Sequence, residues 1–111
     1  MKLVTYSDRS FALDDATADA LIEFAALLIS SGEADSVEVN AYSREDEPTT
    51  AKMLLGAGTP IVAEVIASDL ADPHNSAALD HMASVTKRLV TPTATLVPAE
   101  ETGPILDDYG I

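Results

Sequence analysis

Residues 14–32 read DDATADALIEFAALLISSG, and this stretch decides how the rest of the chain must be arranged. Asp14 and Asp15 stand where a carboxylate accepts orphan backbone N–H groups and favours the positive end of a helix. Gly32 suits the left-handed position that commonly ends one, because it has no Cβ to clash there. The spacing therefore predicts a helix to about Ser31. Placed at 100° per residue, Asp19, Glu23 and Ser30 form one narrow polar stripe, while apolar side chains from Leu21 to Ile29 cover roughly 260° of the circumference. Such a helix is too apolar to lie on a surface with one face wet. It is expected either between a sheet and a second helix, or at an isologous subunit contact with Leu21, Phe24 and Leu28 as candidate interface residues.

Strands are expected on both sides of it. Lys2 to Tyr6 has strand composition, Ser7 to Ser10 is turn-like, and Phe11 to Leu13 returns as a short second strand. Ser36 to Tyr42 alternates Val37, Val39 and Ala41 with Glu38, Asn40 and Tyr42, the pattern of a strand with one wet face. SREDEP at 43–48 makes an acidic hairpin tip, Thr50 to Leu55 runs back, and GAGTP at 56–60 reverses the chain into Ile61 to Ile66. These three strands are expected to form a meander. A second helix is expected to start with Asp72 as cap and Pro73 in its first turn, with Ala78, Met82, Val85 and Leu89 as its apolar stripe and Lys87 and Arg88 at its negative end. Thr93 to Val97, between Pro92 and Pro98, reads as a short edge strand.

The order of elements gives an α+β fold: a mostly antiparallel sheet of four to six strands with two helices on one face. A ferredoxin-like βαββαβ arrangement with an inserted strand is the nearest named architecture. Residues 1–98 are expected to form a single α+β domain, and 99–111 an acidic C-terminal tail, flexible or docked through Ile105, Leu106 and Tyr109.

Charge narrows the function. The 111 residues carry 19 Asp plus Glu against 6 Lys plus Arg, a formal charge of -13, so direct binding to a nucleic-acid backbone is electrostatically opposed. The 47% hydrophobic content still predicts a folded core. With no cysteine the chain has no disulfide, thiolate metal site or cysteine nucleophile. The first residues lack the basic and apolar regions of a secretory signal, and the longest apolar run, Phe24 to Ile29, falls far short of the roughly 20 residues of a membrane span. A soluble cytoplasmic protein is expected.

Candidate chemistry is sparse. The glycines of 56–60 satisfy no phosphate-loop pattern and are followed by a strand. His74 and His81, seven residues apart, sit too far along a helix to chelate one metal. Glu45 to Glu47 and the pair Asp107 and Asp108 are oxygen-rich but resemble no calcium loop. No metal and no cofactor is expected. The leading expectation is a non-enzymatic interaction or structural domain, homodimeric through the first helix or the open sheet face. One alternative is a small-molecule-binding protein or enzyme with a site between sheet and helices that uses His74, His81, Tyr42 and Arg44. The other is an acidic inhibitor of a basic nucleic-acid-binding protein.

Overall fold

A computed structural model describes residues 1–56 and 58–91. Strand β1 (Lys2–Tyr6) turns at Ser7 and Asp8 into β2 (Arg9–Leu13), and helix α1 (Asp15–Ser31) follows. The hairpin of β3 (Ala34–Tyr42) and β4 (Pro48–Gly56) comes next, then β5 (Ile61–Val65) and helix α2 (Ser76–Val90). The fold is α+β, with all neighbouring strands antiparallel. The expected edge strand at Thr93 to Val97 and the tail at 99–111 lie outside the described residues.

Helix α1 forms where its caps place it. The Asp14 carboxylate accepts from the backbone N–H of Thr17 at 3.1 Å and from its hydroxyl at 2.7 Å. At the other end Gly32 takes a φ of 68°, so that the Glu33 N–H reaches back to the Leu28 carbonyl at 2.9 Å and the orphan carbonyls find donors. The hydrogen bond between the Lys2 ammonium and Asp19, 2.6 Å, ties the helix to β1 and raises the pKa of that lysine.

The strand order is β4-β3-β2-β1-β5, and here the expected meander is corrected. β5 does not continue from β4 at the same edge. It pairs with β1 from Lys2 opposite Val65 to Tyr6 opposite Ile61, at the far side of the sheet. Five residue steps from Gly56 to Ile61 reach at most about 18 Å, whereas four flat strand spacings of about 4.8 Å come to about 19 Å. The sheet therefore has to curl. The join between β2 and β3 permits this: it consists of the single pair Ala12 and Tyr42, while β3 and β4 pair along nine positions. The Tyr6 hydroxyl, on β1, donates to the carbonyl of Leu54, on β4, across the curled sheet.

Helix α1 fills the hollow, packing on β1, β3, β4 and β5. Its Ala18, Leu21, Phe24 and Leu28 meet Val4, Leu13, Val37, Val39, Met53 and Leu55 in the core. Gly56 closes the β4 end of that hollow. Its φ is 118°, and a Cβ there would lie 2.6 Å from the Glu33 carbonyl oxygen, so no other residue fits without moving the backbone.

Helix α2 starts later than expected. Asp72 and Pro73 precede it in irregular chain, and Asn75 occupies the cap position without making a side-chain cap bond. The buried Asn75 amide is engaged elsewhere. Its oxygen accepts from the Asn40 N–H at 2.7 Å, and its nitrogen donates to the Asn40 carbonyl at 2.9 Å and to the Asp14 carboxylate at 3.0 Å. Continuing the β2–β3 register from Ala12 opposite Tyr42 would set residue 14 opposite Asn40, but Asp14 has already turned away to cap α1. The Asn75 side chain takes the place of the missing strand residue. One buried amide thus joins β3, the N-terminus of α1 and the start of α2.

Candidate interaction surface

The two helices have different amounts of apolar surface left once the core is packed. On α1, Leu21, Phe24 and Leu28 are almost wholly buried, at 0%, 2% and 1% exposure. These expected interface residues belong to the core, and Phe24 alone among them also lines a surface hollow. On α2 the expected stripe of Ala78, Met82, Val85 and Leu89 packs on the core. One residue further along, Leu79, Ala83, Thr86 and Val90 repeat the spacing of four, three and four, and they line the surface beside α1. Leu79 is half-buried, whereas Val90 is 60% exposed.

Between this second stripe and Ala20, Glu23 and Leu27 of α1 lies a groove of about 860 Å³, floored by Phe24 and Met82. The charged groups along it are Glu23, Asp80 and Lys87. Neither Asp80 nor Lys87 makes an ion pair among the described residues. The second stripe was open to sequence reading through its heptad-like spacing. It escaped notice because one stripe is enough to account for an amphipathic helix, and because Ala83 and Thr86 are neither large nor strongly apolar.

The other candidate residues fall in separate places. The His81 imidazole pairs with the Asp35 carboxylate at 2.7 Å, and its ring stands edge-on to Phe24 with centroids 6.5 Å apart. That pairing holds α2 to the start of β3. Tyr42 and His74 come together at a smaller hollow of about 470 Å³ that Asn40, Thr50 and Asp72 also line. The Tyr42 hydroxyl donates to the Ala71 carbonyl at 2.8 Å, and the Asn40 side chain donates to the His74 carbonyl at 2.8 Å. Both contacts fasten the 71–75 connection to β3. Arg44 sits exposed on the hairpin tip and lines neither hollow. Among the described residues no group of three or more His, Asp or Glu side chains is placed to hold a metal ion, and no helix is long and apolar enough to cross a membrane.

The sheet edges and outer face carry isolated apolar side chains. Leu54, Val62 and Val65 are exposed at 65%, 49% and 82%, and Glu38, Asn40, Thr50, Lys52 and Glu64 are exposed on the same three strands, β3, β4 and β5. The groove between the helices has a more apolar lining than the hollow beside Tyr42 and His74. No protein-family model, curated protein or solved structure matches the chain.

Proposed function

We propose that the chain is a non-enzymatic interaction domain that works as a homodimer, with the groove between α1 and α2 as its contact surface. The observation that carries this reading is the second stripe of α2, in which Leu79 leans on the core while Ala83 and Val90 stay exposed, and which opens, with the half-buried Leu27, into a groove beside α1. Exposed apolar surface of this kind is costly to leave in water unless something covers it. Two of the four polar side chains that a small-molecule site would use are already engaged: Tyr42 holds the 71–75 connection, and His81 holds Asp35. Two chains of formal charge -13 repel one another, so a contact between them has to bury enough apolar surface to offset that repulsion.

Sedimentation velocity of the full chain across a wide concentration range tests the reading. A dimer is expected, and Ala83→Asp, at an exposed position in the middle of the groove, should return it to single chains with an unchanged circular dichroism spectrum. A wild-type protein that sediments as one chain at every concentration contradicts the proposal.

A further inference from the structure

Resting on that reading, we infer that the second copy docks by laying its own α2 antiparallel against α2, about a two-fold axis that passes between Ala83 and Thr86. The stripe is symmetric about that point. Leu79 meets the partner's Val90 and Ala83 meets the partner's Thr86, so the same four positions serve both chains, as an isologous contact requires. The small Ala83 near the axis lets the backbones approach closely. Spacings of four, three and four make the seam of two helices packed along their length.

The charges agree with the antiparallel direction. Asp80 lies toward the beginning of α2 and Lys87 in its last turn, both along the groove and both exposed. Within one chain they are seven residues apart, about 10.5 Å along the helix, too far to pair with each other. In the antiparallel arrangement Asp80 stands opposite position 89 of the second helix, only two residues or about 3 Å of rise from the partner's Lys87. Two symmetric acid–base pairs result, one at each end of the seam. A parallel arrangement would set Asp80 against Asp80 and Lys87 against Lys87. The helix dipoles favour the antiparallel direction as well.

Charge reversal tests this directly, because neither side chain is part of the core. Asp80→Lys alone places two lysines together at each end of the seam, and Lys87→Asp alone places two aspartates there. Each variant should dimerise roughly tenfold more weakly than wild type, as reversing two exposed pairs implies. Mixed together, the two variants should form a heterodimer of near wild-type affinity. At one end of its seam the introduced lysine meets the introduced aspartate, and at the other the original Asp80 meets the original Lys87. Native mass spectrometry of the mixture, with one variant isotopically labelled, reads the species. A wild-type dimer whose stability neither reversal changes, or a mixture with no preference for the heterodimer, overturns the α2 pairing while leaving the homodimer reading intact. A wild-type monomer overturns both.

Discussion

The two helices have nearly the same length and opposite roles. α1 is closed at both ends by its own neighbours, Asp14 and Gly32, and its apolar arc meets strands of the curled sheet on several sides. α2 has no side-chain cap of its own and is attached from a distance, through Asn75 to Asn40 and Asp14 and through His81 to Asp35. Its core-facing stripe is matched by a second stripe whose Ala83 and Val90 stay exposed while Leu79 and Thr86 are half-buried. The comparison teaches that a strongly apolar helix need not be the one with apolar surface left over. α1 is apolar because the sheet wraps around it, whereas the moderately amphipathic α2 has apolar surface to spare.

The largest expected effect lies on the α1 side. Leu21→Ala removes a fully buried side chain from the middle of the core and should cost about 2–5 kcal/mol, lowering the denaturation midpoint in urea. If Leu21 instead belonged to a subunit contact, the loss would depend on protein concentration. A loss of the same size in the dissociated Ala83→Asp background identifies it as core.

A smaller effect is expected where α2 is attached. Asn75→Ala leaves the Asn40 N–H and carbonyl, and one oxygen of Asp14, without their protein partner, which should cost about 1–3 kcal/mol. Hydrogen exchange should then speed up most at the Asn40 amide and in the first turn of α2, with α1 protected more nearly as before. Uniform loss of protection across both helices would show that Asn75 does no more than fill space.

Much of this was legible from local pattern. The ends of α1 follow from Asp14 and Gly32, and the buried sides of β3 and β4 follow from strict alternation at Val37, Val39, Ala51 and Met53. What escaped is non-local. Alternation tells which way a side chain faces but not which strand lies beside it, so β5 read as the neighbour of β4 when it pairs with β1. Asp72 and Pro73 make a good helix start in isolation, yet the helix begins at Ser76, after an amide whose partners lie 35 and 61 residues away. The expected interface residues of α1 were chosen for apolarity, which cannot distinguish a side chain facing a sheet from one facing another molecule.

The most direct test of the groove as contact surface is a series of amide nitrogen–proton correlation spectra recorded on dilution of the wild-type protein. The account predicts that shift changes concentrate at Glu23 and Leu27 on α1 and at Leu79, Asp80, Ala83, Thr86, Lys87 and Val90 on α2. Changes gathered instead along β4 or β5, or none on dilution, would contradict it.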